Sequence, residues 1–263
     1  MTTLAPDATA FEAVDIAKSF GGLKAVDGVT LAVARQEVLG IIGPNGAGKT
    51  TLFNLLAGAL MPDRGTIKLS GEDVTEAPAE TRANKGLART FQIPRPFAEM
   101  TVRDNLLVAG QDQRGETMVG SLFSFLTVAR QERALKERAD RLAEFLRLTP
   151  VLHDLSKSLS GGQRKLLELG RALMAEPQLL LLDEPAAGVN PALMEFIMER
   201  VEEINAGGVT VVLIEHNMSV VERLCGRAVV MASGRLLAEG PPGEVLADPD
   251  VVEAYLGSGP AAA

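Results

Sequence analysis

Gly43-Pro44-Asn45-Gly46-Ala47-Gly48-Lys49-Thr50 fits G-x-x-x-x-G-K-[ST], the pattern of a loop that cradles phosphate. Its flanks agree with that reading. Residues 37–42 form a short apolar run of buried-strand type, and residues 51–57 have helical spacing and stop at Gly58. An ordinary glycine-rich turn requires neither flank. Glycines let the backbone bend so that several N–H groups converge on one anion. The helix that begins near Lys49 adds its positive end to the same place. Lys49 brings a full charge within reach of the outer phosphates, and Thr50 offers a hydroxyl to a bound Mg2+.

A second feature depends on the first. Leu179-Leu180-Leu181-Leu182-Asp183-Glu184 is an apolar strand that delivers two carboxylates to its C-terminal edge, where open α/β sheets bind ligands. Asp183 suits the support of Mg2+, and Glu184 suits the orientation and deprotonation of an attacking water. A third is Leu159-Ser160-Gly161-Gly162-Gln163. Small residues open a helix there, so that N–H groups and a hydroxyl face an anion. Composition alone reads the same stretch as a serine N-cap, and one geometry serves both purposes.

The bulk numbers leave room for such a site. The chain has 263 residues, 46% hydrophobic and 23% charged, as expected of a globular protein with a sizeable core. Acids outnumber bases by 34 to 26, which argues against nucleic acid as the main partner. Cys225 is the single cysteine, so no intramolecular disulfide forms and packing is its expected role. No apolar run reaches bilayer length, and the first residues lack a basic-then-apolar signal pattern, so a cytoplasmic protein is expected.

Along the chain, residues 1–10 read as a frayed tail and 258–263 as a disordered one. Residues 13–20 and 29–34 read as strands that meet the strand ending at Ile42, with Gly21-Gly22 and the polar 24–28 between them. Residues 66–70 and 87–91 read as strands, and 78–84 as a short helix with Pro78 at its first position. Thr101 with Asp104 resembles a capping box for a helix through Ala109. Residues 111–127 read as a loop holding an apolar patch at Leu122–Leu126. The helix expected over 129–148 carries Arg130, Glu132, Arg133, Lys136, Glu137 and Arg138 on a solvated face. After residue 163, helices and apolar strands alternate to residue 240, and two short helices close the chain. That alternation predicts a mostly parallel sheet covered on both faces, with residues 93–162 as a helical insertion.

Taken together, the motifs resemble the ABC ATPase family over about residues 10–257. In order they are Phe20, the loop 43–50, Gln92, Ser160–Gln163, Asp183-Glu184, Gly188-Val189-Asn190 and His216. The resemblance implies an α/β P-loop NTPase fold. It has a RecA-like, mostly parallel core (10–92 and 163–240), a small antiparallel β subdomain, an inserted helical subdomain (93–162) and a C-terminal extension (241–257). It implies ATP and Mg2+ as ligands. ATP would be held by Gly43, Pro44, Asn45, Gly46, Ala47, Gly48, Lys49, Thr50 and Thr51, with adenine stacked on Phe20. Thr50, Gln92 and Asp183 would serve the metal; Glu184, His216, Gln92 and Lys49 would serve hydrolysis. Ser160, Gly161, Gly162 and Gln163 would contact the ATP of a second, head-to-tail subunit. Asn190 and Asn217 stand where the family commonly has aspartate.

The finer resemblance is to the ATP-binding subunits of branched-chain amino acid importers, of the larger of the two paralogous types. Residues 183–191, Arg89-Thr90-Phe91-Gln92 with 100–106, and 248–257 carry it. It implies two polytopic membrane permease subunits, an extracytoplasmic solute-binding protein acting indirectly, and a place at the cytoplasmic face of the bacterial inner membrane. Importers of urea, short amides or other solutes share much of this pattern. A groove for a membrane subunit is expected around Gln92–Met100, with Phe91, Ile93, Pro94, Pro96, Phe97 and Met100. A soluble ABC ATPase of translation or repair would carry two cassettes or a long coiled-coil insertion, and this sequence has neither. A regulatory protein without turnover would not need Lys49, Glu184 and His216 together.

Overall fold

The computed structural model describes residues 9–90, 92, 94–110 and 125–256, with the backbone alone for 125–129. The described residues divide into two compact units. One comprises 9–89, 178–188 and 201–256, the other 90–177 and 189–200.

The first unit is built on two sheets. The strands β3 (Val38–Ile42), β6 (Leu87–Arg89), β7 (Leu179–Asp183), β8 (Thr210–Ile214), β9 (Arg227–Ala232) and β10 (Arg235–Gly240) form a sheet of order β10-β9-β3-β8-β7-β6. It is parallel except for β10, which returns antiparallel along β9. Every residue of β7 and β8 is buried, which is why these strands read as unbroken apolar runs. The parallel sheet and the P-loop fold are as the sequence predicts.

The strands β1 (Thr9–Phe20), β2 (Leu23–Ala34), β4 (Arg64–Leu69) and β5 (Glu72–Asp73) form a separate antiparallel sheet of order β2-β1-β4-β5. Two expectations are corrected here. β1 and β2 do not pair with β3, and the polar stretch 24–28 is strand, leaving Gly21-Gly22 alone as the turn. The physical reason is alternation. Phe11, Ala13 and Ile16 point into the core while Val14 and Asp15 point out, a half-wet strand that suits an antiparallel sheet. Polar residues of 24–28 fill the outer face, where Asp27 receives Arg235 at 2.7 Å. Thr9 and Ala10 also belong to β1 and are not frayed.

The helix α1 (Lys49–Leu56) buries Leu52, Phe53, Leu55 and Leu56. Its rear end is held by Arg82, a fully buried residue of α2 (Ala79–Asn84), which Pro78 precedes as the cap. Arg82 donates to the carbonyls of Leu55 (2.7 Å), Leu56 (2.8 Å), Ala77 (2.9 Å) and Thr75 (3.1 Å). A cation at a helix C-terminus satisfies orphan carbonyls and opposes the dipole. Burial pushes the Arg82 guanidinium down to about 10. Cys225 is packing: its Sγ lies 3.0 Å from where a Cβ on Gly40 would sit, and burial pushes its thiol up to about 12.

The second unit is helical, with α3 (Val102–Val108), α4 (Phe125–Phe145), α5 (Gly161–Met174) and the first part of α6 (Pro191–Ala206). Thr101 caps α3 by accepting the Asp104 N–H at 3.1 Å. Residues 125–127 belong to α4 and not to a loop, whereas 111–124 lie outside the described residues. Arg130, Glu132, Arg133, Lys136 and Glu137 are exposed as expected. Arg138 is not part of that solvated face. It is half-buried, donates to the Leu173 carbonyl at 2.6 Å and pairs with Glu176.

Candidate nucleotide site

The loop between β3 and α1 takes the shape its residues demand. Gly43 has φ 143, and a Cβ there would lie 2.2 Å from the Met231 carbonyl oxygen. Gly48 has φ 99, and a Cβ there would lie 2.2 Å from the Ala25 carbonyl oxygen. Both positions combine left-handed backbone with close approach of another chain segment, so glycine alone fits. Asn45 and Gly46 are exposed, Ala47 is buried, and Pro44, Gly48, Lys49 and Thr51 are half-buried. No side chain caps α1 at Gly48, so its leading N–H groups face the loop without a built-in acceptor.

The Lys49 ammonium donates to the carbonyls of Gly43 at 2.7 Å and Pro44 at 2.9 Å. The lysine thus lies back across its own loop, aimed at the space the loop encloses. Burial pushes its pKa below the usual lysine value, and the Glu184 carboxylate opposes that shift. Thr50 is exposed in the first turn of α1. Phe20, half exposed at 50%, ends β1 and pairs with Leu23 across the turn. Ala25, a little further along β2, is the residue that touches Gly48, which brings this hairpin beside the loop.

The two carboxylates sit at the C-terminal end of β7. Asp183 is 6% exposed and Glu184 is half-buried beyond it. Glu184 has φ 47, a left-handed backbone that a non-glycine residue adopts at a cost. Its N–H is held by the Ile214 carbonyl at 3.0 Å, and its Oε1 lies 3.5 Å from Nδ1 of His216. The first unit therefore brings together Phe20, the loop 43–51, Asp183, Glu184 and His216.

The other expected residues lie in the second unit. Ser160 is the N-cap of α5. Its Oγ accepts the Gln163 N–H at 3.2 Å, and the Gln163 side chain accepts the Ser160 N–H at 2.9 Å. Ser160 and Gly161 are exposed, and a Cβ on Gly162 would lie 2.2 Å from Leu193. Gln92 is exposed. Phe97 (46%) and Met100 are exposed too, while Phe91 and Ile93 fall outside the described residues. The backbone of Phe97 is fixed from beneath by buried groups. Asn105 accepts its N–H at 2.8 Å, and Ser156 donates to its carbonyl at 2.7 Å. Arg171 stacks 5.2 Å from its ring.

Asn190 and Asn217 have a visible role. Asn190 accepts the Leu193 N–H at 2.9 Å and caps α6. Asn217 accepts the Ser219 N–H at 3.1 Å and caps α7 (Met218–Leu224). Asparagine and aspartate are equivalent in that task.

Two residues at the site, Glu215 and Arg89, have no role there in the sequence reading. Glu215, 1% exposed, accepts the Ala186 N–H at 3.0 Å and the His216 N–H at 3.2 Å, tying the turn after β7 to the turn after β8. Arg89 donates to Asp183 at 2.9 Å and to Asn54 of α1 at 2.5 Å. For Glu215 a signal was present: like Glu184, it directly follows an apolar strand.

These features agree with known proteins. A family model described as ABC transporter matches residues 26–187, and one described as branched-chain amino acid ATP-binding cassette transporter matches residues 235–261. A probable branched-chain amino acid transport ATP-binding protein LivG of Methanocaldococcus jannaschii is 42% identical over 247 residues, 92% of this chain and 95% of its own. The high-affinity branched-chain amino acid transport ATP-binding protein BraF of Pseudomonas aeruginosa is 42% identical over 239 residues, 90% of this chain and 94% of its own. Among solved structures, the ADP conformation of an ATP-binding cassette of an ABC transporter superposes with a TM-score of 0.82 at 40% identity, covering 95% of this chain and 99% of that one.

Proposed function

The chain belongs to the ABC transporter family, and we propose that it is the ATP-hydrolysing subunit of an importer for branched-chain or similar hydrophobic amino acids. The observation that carries the solute class is the likeness of residues 235–261 to the branched-chain segment, on top of a complete ATPase cassette. Among the described residues no helix is long and apolar enough to cross a membrane. The reading is therefore of a peripheral subunit at the cytoplasmic face of the inner membrane, bound to two permease subunits. A solute-binding protein acts through those permeases, and nucleic acid has no part.

In this reading ATP lies with adenine on Phe20 and its phosphates in the loop 43–51. The N–H groups of that loop and the uncapped start of α1 bind the phosphate oxygens. Lys49 leaves the Gly43 and Pro44 carbonyls for the outer phosphates. Thr50 and Asp183, both of the first unit, offer hard oxygen donors. Among the described residues no group of three or more His, Cys, Asp or Glu side chains is placed to hold a metal. That donor set suits Mg2+, which keeps water and phosphate oxygens around it and takes one or two protein oxygens. Mg2+ bound there supplies neutralisation of phosphate charge. Glu184 orients the attacking water and accepts its proton, while His216 beside it senses the γ-phosphate. Ser160 and Gly162 reach the γ-phosphate of a second ATPase subunit, identical or paralogous, so that ATP closes a head-to-tail pair and hydrolysis opens it.

Replacing Glu184 with Gln tests the chemistry. Nucleotide binding persists and turnover falls by roughly 10²–10⁴-fold, the usual worth of a general base. Size exclusion with ATP then shows a trapped dimer. Turnover at the wild-type rate would remove Glu184 as the base. Phe97→Asp tests the membrane partner. A folded variant that still co-purifies with the permeases and supports leucine uptake would remove the groove.

A further inference from the structure

Arg89 is the last residue of β6 and has no place in the reaction scheme above. Its side chain is largely buried and reaches two elements at once. One guanidinium nitrogen donates to Asp183 Oδ2 at 2.9 Å, another to Asn54 Oδ1 at 2.5 Å, and the group lies 5.3 Å from the Phe53 ring centre. Asn54 and Phe53 belong to α1, the helix whose opposite end carries Lys49 and Thr50. A strand-end arginine is thus pinned between the phosphate helix and the carboxylate of β7.

Electrostatics gives this arrangement a purpose. A buried carboxylate is costly without a cation beside it. In this structure that cation is Arg89, held in place by Asn54 and by the Phe53 face. An incoming divalent cation then meets an Asp183 whose charge is already compensated, close to a fixed positive charge that repels it.

We infer that Arg89 is a positioning residue that stands in for the metal: it is the built-in counter-ion of Asp183, and it weakens Mg2+ binding until nucleotide phosphates supply the missing negative charge. The inference rests on the reading of Asp183 as a metal-side carboxylate. It assigns Arg89 a part in making Mg2+ binding conditional on nucleotide, beyond holding strands together.

The test uses the full-length chain at constant pH and ionic strength. A fluorescent ATP analogue is titrated in EDTA and over a range of Mg2+, for wild type, Arg89→Gln, Arg89→Lys, Asn54→Ala and Asp183→Asn, with thermal melting in EDTA alongside. Loss of the charge in Arg89→Gln is expected to lower the Mg2+ midpoint by about tenfold, because a unit charge at this range is worth at least that much. Its melting temperature in EDTA falls, and Mg2+ restores part of it. Arg89→Lys keeps the charge and stays near the wild-type midpoint. Asn54→Ala loosens the arginine without removing it and lowers the midpoint by about threefold, a smaller loss of the same electrostatic effect. If Arg89→Gln does not fold, Asn54→Ala carries the test in the same direction.

A midpoint that is unchanged or raised in Arg89→Gln and Asn54→Ala, while Asp183→Asn shifts it, overturns the inference and leaves the metal reading intact. A midpoint that Asp183→Asn does not move removes the metal reading itself.

Discussion

The helix at Lys49 and the helix at Gly161 both open on small residues beside a glycine, and both read as anion sites, yet their first turns are completed differently. α1 begins after Gly48, at φ 99, with no side chain to accept its leading N–H groups. α5 begins after Ser160 with a full capping box, each partner accepting the other's backbone N–H. A helix start leaves several N–H groups without partners. In α1 that need is left for a ligand, and Arg82 satisfies the far end instead. In α5 the protein satisfies part of it internally, the Ser160 Oγ accepting the Gln163 N–H. The first turn is incomplete without an anion. The second is partly closed by its own capping box and offers an exposed hydroxyl to whatever docks against it. One site is built to bind, the other to be presented.

The largest expected effect follows from the first half of that contrast. On the proposed reading, Lys49→Ala removes a charged contact to phosphate and is expected to lower ATP affinity by about 10–100-fold, the worth of a charge-assisted hydrogen bond. Titration calorimetry on the isolated chain reads it. Ser160→Ala should leave that monomer affinity unchanged if, as proposed, Ser160 serves a second subunit's nucleotide, while costing about 1 kcal/mol of stability through the lost cap. A Ser160→Ala chain that binds ATP more weakly in dilute solution would break the contrast. The smallest effect sharpens it. Asn190→Asp keeps the cap of α6 and adds a negative charge at a helix start, which stabilises by about 0.3–1 kcal/mol. Thermal melting that shows a loss instead would mean that Asn190 does more than cap.

How far these sites were legible depends on range. The loop at Gly43–Thr50 and the strand ending at Asp183 are local patterns, in which one strand-turn-helix unit carries residue type and geometry together. The capping box at Ser160 is local as well. Arg89 and Arg82 were illegible because their partners lie far along the chain: Asp183 and Asn54 for one, Leu55 and Leu56 for the other. A helix as short as 79–84 gives no period from which burial of an arginine could be read. Arg138 misled for a related reason. It sits in a run of charges, but its angular position on α4 turns it to the Leu173 carbonyl. The pairing of β1 and β2 was lost to the same limit, since alternation marks a half-wet strand and does not say which sheet it joins.

The left-handed backbone of Glu184 bears on how this protein responds to selection. A non-glycine residue at φ 47 forfeits about 1–2 kcal/mol relative to its relaxed conformation. Glycine at that position would recover much of this and raise the melting temperature. It would also remove the carboxylate that the proposed mechanism assigns to water activation. If Glu184 is the proposed base, a library screened for heat resistance alone is expected to enrich glycine at position 184, and one screened for growth on the imported solute to keep the strained residue. The strain marks a place where durability and work cannot be improved together.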